Sequence, residues 1–589
     1  MEKRWVLREA DEEVVSHLSD QLKVSTLLAR ILVHRGVMDS DAGKRFLSPS
    51  LRSDLPSPFL MADMDRAVER LACALEGKEL ICVWGDYDVD GTTGSSALVI
   101  FLREIGGNPL YYIPHRIEEG YGLSPQGLER LRFRGVRLIV SVDCGISNYK
   151  EIELARGMGI DVIIVDHHEP PPLLPPAVAI LNPHRSDCPF PDKGLSGAGL
   201  AFYLIIGLRA SLRDRGWFSE ADPPDIRRYL DIVALGTIAD MVPLKGVNRV
   251  LTRRGLTELG VSTRPGIRAL KQVANIPSGE VSVGQVAFQL GPRINAAGRV
   301  DAGLKVVEML TTGSEEEACR IAGELDRHNR ERREIEGHVL AEALAQLKTG
   351  ARVMDSESRI LDSDSWKLSS DRTSIVLGAE GWHPGVLGIV ASRLVERFYR
   401  PTVVIGFHQG EGKGSARSIR GFHLVEGLGR CADLLEKFGG HEYAAGLTVR
   451  QEQFQAFSDR FEDTARLSLT SEDLVPLLEV DAEIDFSAID LSLARQIQIL
   501  GPFGIGNPEP LFETREVEVS ERRDFNGGSR FKLRHGGRTL DGVGFRLGDD
   551  FPGHKGTKID LAYRLSENDW GGTYQVELRI VDARPSAKQ

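Results

Sequence analysis

Five aspartates and two histidines sit at the ends of three short apolar runs, and they are residue types that bind divalent metal. Leu80–Trp84 runs into Gly85-Asp86-Tyr87-Asp88-Val89-Asp90-Gly91, Leu138–Val142 into Asp143-Cys144-Gly145, and Val162–Val165 into Asp166-His167-His168. Carboxylates gathered in one place repel one another unless cations balance them. Imidazole beside carboxylate suits Mn²⁺ or another transition metal better than an all-oxygen set does. Cations held there could activate a water, so the cluster looks like a hydrolase centre. A further carboxylate, Asp240 in Ala239-Asp240-Met241-Val242-Pro243, ends an apolar helix. Taken alone it reads as a helix-terminal residue.

The elements that must position these residues follow from periodicity. Short β-branched runs read as buried parallel strands, and ligands collect beyond the carboxyl ends of such strands. From about 60 to 245, strand-like runs alternate with amphipathic stretches such as Asp65–Leu75 and Pro125–Phe133, and Asp225–Ala239 reads as a buried helix. Residues 1–50 are mostly helical by periodicity. Residues 314–347 are highly charged, with apolar residues at helical spacing (Ile321, Leu325, Ile335, Val339, Leu344). As one helix they would span about 51 Å and join two lobes. A second α/β region over 352–460 places strands at Thr373–Leu377 and Thr402–Ile405 around a helix near 385–397. From about 470, Gly-rich turns (Asn526-Gly527-Gly528, Gly536-Gly537, Gly571-Gly572) between short strand-like runs predict a small β-barrel of the OB type. The expected units are 1–55 (helical), 56–310 (catalytic), 311–350 (connecting helix), 351–465 (second α/β unit) and 466–589 (barrel).

Bulk properties bound the function. The 589 residues suffice for several domains, and the net charge of −12 argues against indiscriminate nucleic-acid binding while leaving room for a local basic groove. Six scattered cysteines with no zinc spacing read as free thiols in a reducing compartment. No apolar run reaches membrane-spanning length, so a soluble, cytoplasmic protein without membrane contact is expected.

Gly85–Gly91, Ser141-Val-Asp-Cys-Gly145, Asp166-His-His168 and Gly236-Thr-Ile-Ala-Asp240 resemble the four ordered motifs of the DHH phosphoesterase superfamily. Gly291-Pro-Arg-Ile-Asn-Ala-Ala-Gly-Arg299 resembles a segment typical of its RecJ family of single-strand-specific 5′→3′ exonucleases. Gly381–Ile389, Gly412–Ser418 and Phe438–Gly446 are similar to the associated DHHA1 domain, and Pro502–Pro508 precedes the tail as in that family. The resemblance covers nearly the whole chain. It implies an α/β fold: a DHH parallel-sheet domain joined by a long helix to a smaller α/β DHHA1 domain, then a C-terminal OB barrel. Asp88-Val-Asp-Gly-Thr92 also matches the DxDGT signature of dehalogenase-like phosphatases. Three residues separate it from the apolar strand, however, and no suitably placed lysine and acidic loop follow.

Carried over, the resemblance draws the ligands of a two-metal site for Mn²⁺ or Mg²⁺ from Asp86, Asp88, Asp90, Asp143, His167, His168 and Asp240. Asp143, His167 and His168 would be catalytic, with Asp166 orienting the site. Some DHH relatives carry a histidine where Trp84 stands here, which leaves the shares of Asp86 and Asp90 open. Arg116, Arg293, Arg299, Ser415, Arg417 and His441 fall in motifs that would bind the strand. In the tail, Arg522, Arg523, Phe525, Arg530, Phe531, Lys532 and Arg534 interleave charge and aromatic rings, as single-strand contact requires. The resemblance implies a monomer that hydrolyses single-stranded DNA from a 5′ end in repair and recombination, with single-strand-binding protein and a helicase as partners. The competing readings are a DHH enzyme on oligonucleotides or cyclic dinucleotides, and a non-catalytic DNA-binding scaffold.

Overall fold

The computed structural model describes residues 3–115, 119–218, 222–297, 303–349, 372–545, 547, 551–570 and 572–586. Strand β1 (Arg4–Leu7) is followed by three helices, Glu12–Leu22, Thr26–His34 and Ser40–Leu47. Asp11, Ser25 and Asp39 cap them by accepting backbone N–H groups of the first turn. The helical reading of this stretch therefore misses only β1, whose register partner lies more than 400 residues away.

Strands β2 (Ile81–Gly85), β3 (Leu110–Tyr112), β4 (Leu138–Val142), β5 (Asp161–Val165) and β6 (Ala179–Leu181) form an all-parallel sheet in the order β3-β2-β4-β5-β6. Their runs read as continuous because both faces are covered. Ile81, Val83, Val140 and Val165 face the helices Val89–Glu104 and Gly197–Asp214. Cys82, Trp84, Ile139 and Ile164 face the helices Pro125–Phe133 and Tyr149–Gly157. The register sets Gly85 opposite Val142 and Val142 opposite Val165, so Asp86, Asp143 and Asp166 leave the sheet side by side. The strand order reverses between β2 and β4, which is where an open parallel sheet offers a ligand crevice. The segment expected as one helix over Asp225–Ala239 is a 3₁₀ turn, Ile226–Tyr229, continued by an α-helix, Leu230–Ala239.

The connecting helix runs Glu315–Thr349, 35 residues. Beyond it, β7 (Ile375–Glu380), β8 (Thr402–His408), β9 (Glu411–Arg417), β10 (Lys437–Gly440) and β11 (Ala444–Arg450) form a mixed sheet, ordered β10-β11-β9-β8-β7, with the helix Pro384–Phe398 between β7 and β8. Strand β12 (Leu477–Val480) pairs in parallel with β1. The tail is a closed five-stranded barrel of β14 (Phe512–Phe525), β15 (Gly528–His535), β16 (Arg538–Phe545), β17 (Lys558–Trp570) and β18 (Thr573–Pro585). The β14–β17 pairing closes it, and the short β13 (Ala482–Glu483) joins its edge. Leu28, Ile31 and Leu32 of the N-terminal helices share one core with Phe486, Phe512 and Leu533 of the tail. All six cysteines are free. Among the described residues no helix is long and apolar enough to cross a membrane.

Candidate metal centre

Asp88 starts the site by ending the loop after β2. It caps the Val89–Glu104 helix, its carboxylate accepting the Gly91 N–H at 3.0 Å. Gly91 is required here: a Cβ would lie 2.6 Å from Asp86 N and 2.7 Å from Asp86 O. Asp90, in the first turn of that helix, is fully buried and accepts N–H groups from Gly197 and Ala198, the latter at 3.0 Å, at the start of the Gly197–Asp214 helix. Those donors belong to a helix N-terminus, which favours a carboxylate. Asp143 stands at the end of β4 with φ of 62°, a left-handed conformation costly outside glycine and concentrated at functional sites. Asp240 caps the end of Leu230–Ala239.

These side chains meet. Ligand atoms within 4.8 Å of one another form the sets Asp86–Asp88–Asp143, Asp90–His167–Asp240 and Asp143–His167–His168. The first two share no member, and the third takes one residue from each and adds His168. All seven residues expected as ligands are thus brought together. Trp84 is not. It is buried on the opposite face of the sheet, its ring stacked on Tyr112 at 4.3 Å between centroids.

Asp166 holds His168 rather than joining the sets. Its Oδ1 meets His168 Nδ1 at 2.7 Å and accepts the His168 N–H at 3.1 Å, while Oδ2 accepts the Ile146 N–H at 2.9 Å. Tyr121, which sequence reasoning missed, donates its hydroxyl to Asp143 O at 3.0 Å and lies 3.2 Å from His168 Nδ1. Its position in a Gly-Tyr-Gly run carries no periodic signal that could have found it. Nor did local pattern announce the Gly197–Ala198 donors, which lie more than 100 residues from Asp90 in sequence.

The electrostatics follow from crowding. Burial and then the charges of Asp88 and Asp90 push Asp143 well above the usual carboxylate range. Burial and the same neighbours raise Asp240 to about 9, and burial with Asp88 raises Asp90 to about 7. Burial and the neighbouring His168 lower His167 to about 4, which keeps its imidazole neutral. For His168 burial works downward, but the bond and charge of Asp166 outweigh it and the ring is raised. Asp166 moves the other way, held low by His168 and two backbone N–H groups against its own burial.

The residues expected to bind the strand divide. Arg116 and Arg299 lie outside the described residues. Arg293 is buried and turned inward: it donates to Asp326 at 2.9 Å, to Gln289 O and to Val273 O, tying its helix to the connecting helix. Arg417, on β9, donates to Ser415 Oγ at 3.3 Å and Ala416 O at 2.8 Å and has no carboxylate partner among the described residues. Gly388 of the Pro384–Phe398 helix lets both side chains approach, since a Cβ there would sit 2.9 Å from Arg417 Nη2 and from Ser415 Oγ. His441 is exposed in the turn between β10 and β11. In the tail, Phe531 packs inside the barrel, 3 % exposed, with Arg522 over its ring. Phe525 is exposed, whereas Arg523, Arg534 and Lys532 pair with Glu521, Glu518 and Asp541.

With this geometry in hand, comparison with known proteins places the chain. Residues 80–237 match the family model for the DHH family N-terminal domain, 372–467 that for the DHHA1 domain and 480–582 that for the RecJ OB domain. The parallel sheet with its acidic and histidine-bearing rim is therefore a DHH domain. The single-stranded-DNA-specific exonuclease RecJ of Salmonella typhimurium is 39% identical over 598 residues, covering 98% of this chain and 98% of that protein. That of Bacillus subtilis is 36% identical over 592 residues, covering 100% of this chain and 71% of the relative. The crystal structure of Thermus thermophilus RecJ in complex with Mn²⁺ superposes with a TM-score of 0.80 at 31% identity, covering 99% of this chain and 80% of that one. The chain belongs to the RecJ family of single-stranded-DNA-specific exonucleases.

Proposed function

We propose that the chain is a divalent-metal-dependent exonuclease that degrades single-stranded DNA from its 5′ end to mononucleotides. The observation that carries this reading is the convergence of Asp86, Asp88, Asp90, Asp143, His167, His168 and Asp240 into overlapping ligand sets at the sheet's switch point. The donor set fits cations. Among the described residues the buried Asp143 Oδ1 accepts no hydrogen bond, and the carboxylates around it can ionise together only against positive charge. Mn²⁺ or Mg²⁺ held by the carboxylates and His167 of these sets would acidify a water and neutralise charge on the phosphoryl and leaving oxygens, which leaves His168 free for the substrate.

The chain's own groups do the rest. The neutral His167 presents a lone pair to the cluster. Asp166 engages His168 through Nδ1 and so aims Nε2, the nitrogen it leaves unengaged, at a phosphoryl oxygen as a hydrogen-bond donor. Arg417, a desolvated guanidinium with Ser415 beside it, would receive a phosphate of the strand, with His441, Arg116 and Arg299 as further candidates, whereas the inward-turned Arg293 serves the packing of the connecting helix. We assign catalysis to 56–310, substrate holding to 351–465 across the connecting helix 311–350, nucleic-acid binding to 466–589, and a supporting role to 1–55. A monomer in the reducing cytoplasm, supplied with strand by a helicase and single-strand-binding protein during repair and recombination, fits this assignment.

The test is substrate class. With Mn²⁺ the purified protein should release mononucleotides from a single strand, spare blunt duplex and cyclic dinucleotides, and stop in EDTA. Equal turnover of cyclic dinucleotides, or unchanged activity in EDTA, would overturn it.

A further inference from the structure

The connecting helix is apolar where it enters each lobe and polar between them. Ala318, Ile321, Ala322 and Leu325 belong to the core of the catalytic domain. Val339, Ala343 and Leu347 instead share a core with Leu377 of β7 and with Leu387, Val390 and Leu394 of the helix Pro384–Phe398. Between these two stretches the buried side chains are polar, with Asn329 0% and Glu336 2% exposed. One charged contact reaches into each lobe. On the catalytic side Asp326 accepts from Arg293 at 2.9 Å. About 15 Å further along the helix, Glu336 pairs with Arg393 of the helix Pro384–Phe398 at 2.5 Å.

Glu336 holds two cations at once. Its other oxygen accepts from Arg332 Nη1 at 3.0 Å, and Arg332 Nη2 donates to Asn329 Oδ1 at 3.0 Å. Among the described residues it is the one carboxylate paired with either arginine. Burial pushes the Arg332 guanidinium down and Glu336 works against it, while the charges of Arg333 and Arg393 add to the effect of burial. Desolvation offsets much of the attraction in such a network, so its net stabilisation is small. What it supplies is an arrangement: without Glu336, two like charges stand uncompensated between the connecting helix and Pro384–Phe398 and push them apart. The second of those helices touches the phosphate-holding candidates. A Cβ on its Gly388 would lie 2.9 Å from Arg417 Nη2 and from Ser415 Oγ, so moving the helix moves both side chains.

We infer that Glu336 is a positioning residue for the hydrolysis: by joining Arg332 to Arg393 it sets where Arg417 and Ser415 stand relative to the metal cluster. This rests on the reading of Arg417 as a phosphate ligand and names what holds it in place.

The test is a double-variant cycle on hydrolysis of a single strand with Mn²⁺. Glu336→Gln and Arg417→Ala should each raise KM about tenfold and leave kcat within about twofold, and the double variant should exceed either by no more than about twofold. Arg393 is half-exposed, so Arg393→Met tests the same contact where Glu336→Gln does not fold, and Arg393→Lys should restore most of the loss. Losses that multiply in the double variant, as a merely structural role requires, would overturn the inference. So would wild-type KM in Glu336→Gln or Arg393→Met. Wild-type KM in Arg417→Ala would instead remove the phosphate-holding reading, and this inference with it.

Discussion

At the scale of single residues, the account depends on carboxylates that cannot all ionise without help. Asp90 is raised to about 7 and Asp240 to about 9, against about 3.9 in an unfolded chain. A carboxyl raised on folding contributes stability that is complete below its unfolded pKa and is lost as pH rises through its folded value. Without metal the protein should therefore melt at progressively lower temperature from about pH 5 to about pH 9. A cation needs the ionised form and expels the protons, so the rise in melting temperature on adding Mn²⁺ should widen over the same interval. Scanning calorimetry in EDTA and in Mn²⁺ checks this, and a Mn²⁺ effect that shrinks toward high pH would contradict it. Asp86, Asp88, Asp90, Asp143, His167 and His168 were legible because they follow the ends of apolar runs, whereas Asp240 read alone as a helix-terminal residue and joined the set only through the family resemblance. The shares of Asp86 and Asp90 were not legible, because an unbroken apolar strand does not reveal which side chains face which helix layer. Trp84 itself is buried on the far face of the sheet, so its position in the motif is structural here.

At the scale of elements, the site exists because three helices approach one another more closely than ordinary side chains permit. A Cβ on Gly236 would lie 2.2 Å from Thr93 Oγ1, 2.8 Å from Ala198 Cβ and 2.9 Å from Asp90 Oδ1. Gly236→Ala should therefore push the helices Leu230–Ala239 and Val89–Glu104 apart. We expect it to destabilise the protein by about 1–3 kcal/mol, read from denaturant unfolding, and to weaken Mn²⁺ binding as Asp90 shifts. Wild-type stability and affinity in this variant would show that the helices have slack. The glycine was visible inside a motif, but its partners Thr93 and Ala198 are set by tertiary packing, to which periodicity is blind. The strands themselves read well, since β2, β4 and β5 begin within a residue of the apolar runs.

At the scale of the whole molecule, the domain sequence of sheet, connecting helix, mixed sheet and barrel follows the chain's changes of pattern. Its two ends do not. Strand β1 pairs with β12, and the N-terminal helices share their core with the barrel, contacts that no local pattern announces. Both ends are thereby fastened beside the lobe that carries the metal cluster: Arg249 and Arg253 of that lobe bond Phe46 O and Leu47 O from the N-terminal helices and approach Ile499 O before the barrel. A single assembly of this kind is suited to holding one strand while its end is hydrolysed. The most direct measurement of that claim is a digestion of one single-stranded oligonucleotide carrying a label at either end, with Mn²⁺, by wild type and Asp143→Ala. The account predicts that a 5′ label appears at once as a labelled mononucleotide, that a 3′-labelled strand shortens stepwise, and that Asp143→Ala binds the strand but leaves both labels intact. Release of the 3′ label first, internal fragments, or hydrolysis by Asp143→Ala at the wild-type rate would contradict it.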